Sequence, residues 1–249
     1  MKLLAVLISS LMLSTAYAAD TDASVEINRA TMSAARLTGL TADRVLLTAD
    51  QALDTAAVLV SALKNDRLVH EELRRLAAGI PGARAILVIN ADGKLQYDSY
   101  RYPADPIDLS DRRYYQRARQ QGGLIVDQAV VGRTSSAAFV PIVKRIGDLT
   151  FVAVTSPYAL VDTQRDCADC WSIALNLDGD VIAAFPPEAV ISPELRAVAS
   201  QATAATGTRI MRYGSSVISV SWVRNERHGL ISVAVKGLPD AASVDIDVN

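Results

Sequence analysis

The spacing of hydrophobic residues changes near residue 80. From about Ser24 to Ala78, apolar residues recur every three or four positions, with no proline and one glycine, Gly39. This spacing predicts one long amphipathic helix, or two helices with a break near Gly39-Leu40-Thr41. The following Gly79-Ile80-Pro81-Gly82 is typical of a helix end. One small module cannot cover so long a helix, so we expect it to run along two stacked modules.

Beyond residue 80 the pattern is that of strands. The β-branched run Ala83–Asn90, an Asp-Gly turn and the extended run Lys94–Tyr100 predict a β-hairpin. A proline-containing loop then leads to a predicted helix, Asp111–Ala118. Further strands are predicted at residues 124–131, 137–145 and 149–156. This order indicates an α+β unit with an antiparallel sheet of about five strands.

The same order of elements then repeats in shorter form. Asp178-Gly179-Asp180 is a predicted turn between two strands, a helix follows from Ser192 to Ala205, and three strands come after it. The five predicted strands span residues 171–177, 181–185, 208–213, 216–223 and 230–236. The repeat indicates an internal duplication. The predicted fold class is therefore α+β, with a long N-terminal helix supporting two modules with antiparallel sheets.

The amino terminus has the features of an export signal. Lys2 precedes an apolar run, Leu3–Leu13, and small residues stand at Ala16 and Ala18. This pattern predicts a secretory signal cleaved after Ala18, and the run is short for a membrane span. An uncleaved signal that anchors the chain in the inner membrane is the alternative. The expected domains are a signal peptide at 1–18, a helical stalk at 19–79, modules at 80–162 and 163–238, and an acidic tail at 239–249.

Composition and motifs argue against several functions. The chain has 249 residues, a formal net charge of -2 and 50% hydrophobic residues, so it lacks the basic excess expected of a nucleic-acid-binding protein. It contains no Gly-x-Ser-x-Gly, Walker or dinucleotide motif, and only two histidines, His70 and His228. Asp105, Asp108 and Asp111 are spaced by threes but lack the glycine and glutamate of an EF-hand. We therefore predict no enzymatic activity, no cofactor and no metal.

The only cysteines, Cys167 and Cys170, stand in a Cys-x-x-Cys arrangement. In an oxidising compartment so close a pair most often forms a small disulfide. A redox function would require a thiol of lowered pKa. Two thiols without a second pair of ligands make a poor zinc site, and no histidine follows Cys170 as c-type haem attachment requires. A structural disulfide is the expectation, with redox chemistry as the alternative.

The segment Leu109–Ala118, which reads LSDRRYYQRA, contains the candidate binding chemistry. Arg112 offers a planar fork of donors that matches a carboxylate. Tyr114 and Tyr115 offer apolar walls with one polar group each. We expect Asp111 or the preceding serine to cap the helix, and Arg113 and Arg117 to face solvent. The alternative is a solvated basic helix with two half-buried tyrosines.

This segment resembles the Asp-Arg-x-Tyr-Phe helix of the extracytoplasmic Cache sensor domains, with Tyr115 where phenylalanine is usual. Three further stretches resemble that family: Asn90–Tyr100, Gly132-Arg133-Thr134-Ser135 and Thr155-Ser156-Pro157-Tyr158. The whole mature chain is similar to a double Cache domain, in which a long helix supports a distal and a proximal PAS-like module. The second copy has no counterpart of Arg112, Tyr114 and Tyr115.

The resemblance implies a function and a site. In double Cache domains the distal module usually binds small organic acids, amino acids or related molecules, and the signal passes to a kinase, a cyclase or a chemoreceptor. No transmembrane helix follows the second module in this sequence, which favours signalling through a membrane-bound partner. A homodimer through the long helix is a further expectation. The alternative function is a periplasmic interaction or scaffold protein with a vestigial pocket, and a redox protein is less favoured.

The predicted ligand site combines residue chemistry with the resemblance. Arg112 is expected to bind the carboxylate and Tyr114 to form the wall. Tyr97 from the hairpin and Thr155 from the last strand of the first module are expected to add polar contacts. The remaining candidates are Tyr115 and Arg133.

Overall fold

The computed structural model describes residues 2–133, 137–163 and 167–238, with side chains from residue 24 onward. The α-helices are α1 (Lys2–Ala62), α2 (Asp66–Gly79), α3 (Arg113–Gln120) and α4 (Pro193–Ser200), and Pro157–Leu160 is a short 3-10 helix. The strands of the first sheet are β1 (Ala83–Ile89), β2 (Leu95–Asp98), β3 (Leu124–Val126), β4 (Val130–Val131), β5 (Ala138–Ile146) and β6 (Leu149–Thr155). Those of the second are β7 (Trp171–Asn176), β8 (Val181–Phe185), β9 (Thr206–Tyr213), β10 (Ser216–Asn225) and β11 (Leu230–Gly237).

The break in the helical stalk lies far from Gly39, so the predicted position of that break was wrong. Helix α1 continues through Gly39, and α2 starts after Asn65. The Asn65 side-chain oxygen accepts a hydrogen bond from the Leu68 backbone N–H at 3.1 Å and thereby caps α2. One glycine inside a helix costs only about 1 kcal/mol. Gly39 lies where α1 packs on the second sheet, and a Cβ at this position would lie 3.5 Å from the Ser232 hydroxyl oxygen.

The first sheet has the order β2-β1-β6-β5-β3, with β4 paired to β5, and all pairs are antiparallel. Side chains alternate between its two faces, as the pleat requires. Phe151 of β6 packs against Leu46 and Leu73 of the long helices. Val152, the next residue, packs with Tyr114 on the opposite face. The sheet is therefore covered on both faces, by α1 and α2 on one side and by α3 on the other.

The second sheet has the order β8-β7-β11-β10-β9 and packs against α1. The contact contains buried hydroxyl groups: the Thr31 hydroxyl on α1 lies 2.8 Å from that of Ser221. The Ser221 hydroxyl also lies 2.7 Å from that of Thr208, an exposed residue of β9. Helix α4 covers the other face, where Leu195 packs with Trp222. The two sheets and the long helix confirm the predicted α+β class and the duplicated plan.

The two modules share a hydrophobic core. Ile182 of the second module belongs to the same buried cluster as Ile86 of the first and Leu53 of α1. The rings of Tyr158 and Phe185 meet edge to face at 6.3 Å across the boundary. The segment Ser24–Ala62 has the length and mean hydropathy of a membrane span, and 33% of its most apolar 18-residue window is buried. One side of the helix packs against both sheets, and other apolar residues of the helix are exposed.

Cys167 and Cys170 form a disulfide, which confirms the predicted pairing. Both are buried and pack against Ala34 and Ala35 of α1. The disulfide lies in the connection between the modules, just before β7. By packing, the buried pair holds the connection before the second module against the long helix.

Candidate functional site

A cavity of about 490 Å³ lies on the α3 face of the first sheet. Its apolar wall includes Leu87, Leu95, Leu109, Tyr114 and Phe139. Four arginines and one carboxylate also line it: Arg84, Arg101, Arg112, Arg133 and Asp98. Cavities of this size and mixed lining are typical of small-molecule sites.

The tip of the β1–β2 hairpin positions the start of α3. The Leu109 backbone N–H donates to the Gly93 carbonyl at 2.7 Å, and the Leu95 N–H donates to the Ile107 carbonyl at 2.9 Å. Gly93 has φ +82°, and a Cβ at this position would overlap Ser110. The predicted Asp-Gly turn therefore packs closely against the loop before α3, and this close approach requires glycine at position 93.

Arg112 occupies the N-cap position of α3, with extended backbone (φ -71°, ψ 128°). The helix thus begins at Arg113, and neither Ser110 nor Asp111 caps it, contrary to expectation. The Asp111 carboxylate accepts a hydrogen bond from Arg133 instead. Because Arg112 stands just outside the helix, its side chain and that of Tyr114 can reach the same cavity.

The Arg112 guanidinium is only partly satisfied within the protein. Its Nη2 lies 3.4 Å from the Val131 carbonyl oxygen, a long contact. Its Nε is buried, and no described residue accepts a hydrogen bond from it. An unpartnered buried donor costs about 1 to 3 kcal/mol. Two other buried side-chain atoms lack partners among the described residues, on Thr155 and Arg196, but neither residue lines the cavity.

Tyr114 forms the wall beside Arg112. Its side chain is 2% exposed, and its ring meets Phe139 edge to face at 6.5 Å. Burial raises the pKa of the Tyr114 hydroxyl to about 12. At neutral pH this hydroxyl is therefore protonated and able to donate a hydrogen bond to an anion.

Two of the other arginines that line the cavity already bind carboxylates. Arg133 donates to the Asp111 carboxylate and to the Asp108 carbonyl, and so connects the segment after β4 to the loop before α3. Arg101 pairs with Asp105 at 2.5 Å. Arg112 is thus distinguished among the lining arginines by its unpartnered buried nitrogen.

Tyr115 is placed in the core beside the hairpin tip. It is 2% exposed, and its hydroxyl donates to the carbonyls of Ala91 at 2.9 Å and Asn90 at 3.1 Å. It does not line the described cavity. Its contacts hold α3 against the hairpin, and this is a positioning function.

The structure does not bring Tyr97 and Thr155 to the cavity. Both lie on the face of the sheet covered by the long helices. The Tyr97 hydroxyl donates to the Asp66 carboxylate of α2 at 2.8 Å, and Thr155 is fully buried. For Tyr97 the cause is a bulge: Val88 pairs with Tyr97 and Ile89 pairs with Leu95, which leaves Gln96 as an extra residue.

Asp98, Arg84 and Phe139 line the cavity but were not predicted from the sequence. The Asp98 carboxylate accepts a hydrogen bond from the Tyr100 backbone N–H at 2.8 Å. Burial raises the pKa of the Asp98 carboxyl, against the lowering effect of that hydrogen bond and of Arg101. Alternation along β5 and β6 would have identified Phe139 and Val154, but the bulge in β2 hides Asp98.

Arg117 does not face solvent, so the expectation was wrong for it; Arg113 is half exposed, as expected, but it also makes ion pairs. Arg117 Nη1 lies 3.0 Å from Asp127 Oδ1, and Arg113 Nε lies 3.5 Å from the same oxygen. The Asp127 side chain is only 3% exposed. Arg113 Nη2 also lies 3.5 Å from Asp180 of the second module. The buried Asp127 carboxylate, just after β3, is paired with these two arginines. The residue pattern of the helix alone does not reveal this pairing.

The two histidines make structural contacts. His70 Nδ1 lies 2.9 Å from the Asp98 carbonyl oxygen, and its ring packs against Tyr102 at 5.4 Å. His228 is buried, with Nδ1 3.2 Å from Asp43 of α1. Among residues 24–133, 137–163 and 167–238, no group of three His, Cys, Asp or Glu side chains is arranged to hold a metal.

Comparison with known proteins shows similarity in structure only. No family model and no curated protein matches the sequence. The extracellular domain of the proposed histidine kinase rpHK1S-Z16 is 21% identical, with a TM-score of 0.65 over 84% of this chain and 95% of that one. The ligand-binding domain of the Campylobacter jejuni chemoreceptor Tlp3, solved with L-norvaline, is 13% identical, with a TM-score of 0.64 over 87% and 92%. The ligand-binding domain of Mlp24, solved with asparagine, is 13% identical, with a TM-score of 0.61 over 88% and 95%. The chain therefore has the double Cache-like fold of extracytoplasmic sensor domains.

Proposed function

We propose that this protein is an exported sensor module that binds a small carboxylate-containing ligand in its first module and passes the signal to a partner protein. The observation that carries the proposal is the buried, unpartnered Nε of Arg112 at a cavity of about 490 Å³. A carboxylate would satisfy Arg112 and accept a hydrogen bond from Tyr114. The solved structures with this fold include domains that bind amino acids, which supports a ligand of similar size.

The functions that we propose for the two modules follow from the fold. Residues 80–162 form the ligand-binding module and residues 163–238 the second module, on a stalk that ends at Gly79. Arg112 and Tyr114 form the core of the proposed site, with Arg133 holding its loops. We propose a periplasmic location, with cleavage after Ala18 inferred from the amino-terminal sequence. The similarity in fold to the extracellular domain of a proposed histidine kinase supports export. A membrane-bound kinase, cyclase or chemoreceptor is the proposed partner, and no catalytic activity is assigned.

A thermal-shift screen of small carboxylates and amino acids, followed by calorimetry, tests the proposal. Arg112→Ala should weaken binding of the ligand found by about 2 to 5 kcal/mol, or roughly thirty-fold to several thousand-fold. Arg112→Lys should also bind weakly, since an ammonium does not reproduce the fork.

The matched control is Arg209→Ala, which removes an exposed arginine from an edge strand of the second module. It should bind as the unmodified protein does. If Arg112→Ala binds a carboxylate with unchanged affinity, the proposed site is wrong. Failure of every carboxylate and amino acid in the screen would favour a scaffold protein with a vestigial pocket.

A further inference from the structure

The charge of the cavity wall limits the kind of carboxylate it can hold. Among the described residues, four arginines and a single carboxylate, Asp98, line the cavity. Two acids just outside it, Asp105 and Asp111, are already paired with lining arginines. A zwitterionic amino acid would bring its ammonium group close to Arg112, because that group is one carbon away from the carboxylate. Like charges brought together in a desolvated site cost several kcal/mol.

Asp98 is the only described lining group that could offset an ammonium charge, and its environment is not suited to that function. Its carboxylate already accepts a hydrogen bond from the Tyr100 backbone at 2.8 Å. Burial disfavours its ionised form and raises its pKa. Arg101 lines the same cavity and would compete with a ligand cation. A bound ammonium would therefore be poorly paired.

The remainder of the wall is apolar. Leu87, Leu95, Leu109, Phe139 and Val154 surround the space next to Arg112 and Tyr114. Burial of apolar area is favourable by about 25 cal/mol per Å². The cavity thus offers a cationic end for one anionic group and an apolar space for a hydrocarbon body.

We propose that the cavity selects a monocarboxylate with an apolar body and no ammonium group, in preference to the corresponding α-amino acid. This inference rests on the proposed carboxylate-binding function of Arg112. It goes beyond the fold comparison, since two of the solved domains hold L-norvaline and asparagine.

Calorimetry with matched pairs tests this selectivity. The probes are 4-methylpentanoate against L-leucine, and 3-phenylpropanoate against L-phenylalanine, which differ only by the ammonium group. Each acid should bind at least roughly 100-fold more tightly than its amino acid. This ratio is expected from several kcal/mol of repulsion between the ligand ammonium and Arg112. The uncharged 4-methylpentanamide should bind at least tenfold more weakly than the acid, because it lacks the charge that Arg112 recognises.

The failures of the two proposals are distinguishable. Equal or tighter binding of the amino acids, abolished by Asp98→Asn, would overturn the selectivity but leave the Arg112 site intact. Absence of binding by acids and amino acids alike would overturn both. Binding of the acids by Arg112→Ala as tightly as by the unmodified protein would also overturn both.

Discussion

Arg113 of α3 lies 3.5 Å from the Asp180 carboxylate and so joins the first module to the turn before β8. Arg113 directly follows Arg112, whose side chain lines the cavity. A ligand that reorients the start of α3 would therefore act on a contact with the second module. This adjacency gives the two modules a short physical connection.

Our first prediction concerns this pair. Arg113→Ala and Asp180→Asn should each change the free energy of unfolding by only about 0 to 1 kcal/mol, because Arg113 is half exposed and solvent screens its attraction to Asp180. The buried Asp127 keeps its closer partner, Arg117 at 3.0 Å, when Arg113 is removed. On ligand binding, hydrogen exchange of the β7–β8 turn should change in the unmodified protein and change less in either variant. Denaturant unfolding and hydrogen exchange provide the measurements. An unchanged exchange response in both variants would contradict transmission through this contact.

The second prediction concerns Arg117. Arg117→Ala should destabilise the protein by about 1 to 3 kcal/mol, since it leaves the buried Asp127 carboxylate with only the longer contact to Arg113. Chemical denaturation at neutral pH measures the change. Arg119→Ala is the control: Arg119 lies over the Tyr115 ring at 5.9 Å and is exposed, so its loss should cost less than 1 kcal/mol, as is typical of exposed cation–π contacts. Equal stability of the two variants would contradict the assigned function of Arg117.

The contrast between Arg112 and Arg117 shows what the sequence reveals. Periodicity and turn residues predicted the long helix, both Asp-Gly hairpins and nearly every strand, because these depend on local chemistry. Arg112 and Tyr114 were selected from residue chemistry and the family resemblance, and both line the cavity because Arg112 stands just outside α3. The ion pairs of Arg113 and Arg117 depend on Asp127, a distant residue whose burial results from tertiary packing, and no local pattern encodes that.

Tyr97 and Thr155 illustrate a second limit. Their assignment to the pocket came from residue chemistry and the family resemblance, and it did not consider which face of the sheet each side chain occupies. A single extra residue, Gln96, reverses the face of everything that follows it in β2. The sequence provides no strong signal for that bulge. In β6 the polar residue Thr155 faces the helices, and the apolar Val154 faces the cavity.

The third prediction follows from that placement. Thr155→Val should leave ligand binding unchanged and should be neutral or slightly stabilising, because Thr155 is fully buried and its hydroxyl has no partner among the described residues. Valine has a similar shape and removes an unsatisfied polar group. Calorimetry and thermal unfolding of the variant test this. Weakened binding with unchanged stability would show that Thr155 contacts the ligand.

The fourth prediction concerns pH. Burial raises the pKa of Asp98 above its ordinary value of 3.8, so the folded state holds this proton more tightly than the unfolded chain. The stabilisation that comes from binding this proton is complete below the pKa that Asp98 has in the unfolded chain. It is lost as the pH rises through the pKa that Asp98 has in the folded protein. Asp98→Asn removes the titration and retains an oxygen that can accept from Tyr100. Relative to the unmodified protein, this variant should therefore be more stable at pH 7 than at pH 3.

Denaturant unfolding at both pH values measures this difference. All other titrating groups are shared by the two proteins, so their contributions cancel in the comparison. A stability difference that is independent of pH, or one that grows on acidification, would contradict the assigned environment of Asp98.

The last prediction concerns assembly. Four exposed apolar residues on α1 lie near one face, since their separations of 15, 7 and 11 residues are close to whole helical turns of 3.6 residues. They are Val25, Leu40, Leu47 and Val58, with exposed fractions of 54%, 66%, 39% and 65%.

We propose that this face forms a homodimer along the long helix. Leu40→Glu combined with Leu47→Glu should give a monomer in light scattering at concentrations where the unmodified protein is a dimer, because it places charges in an apolar contact. The control Leu68→Glu changes an exposed apolar residue of α2 and should leave the mass unchanged. A monomeric unmodified protein, or a double variant that remains dimeric, would show that this face is not the interface.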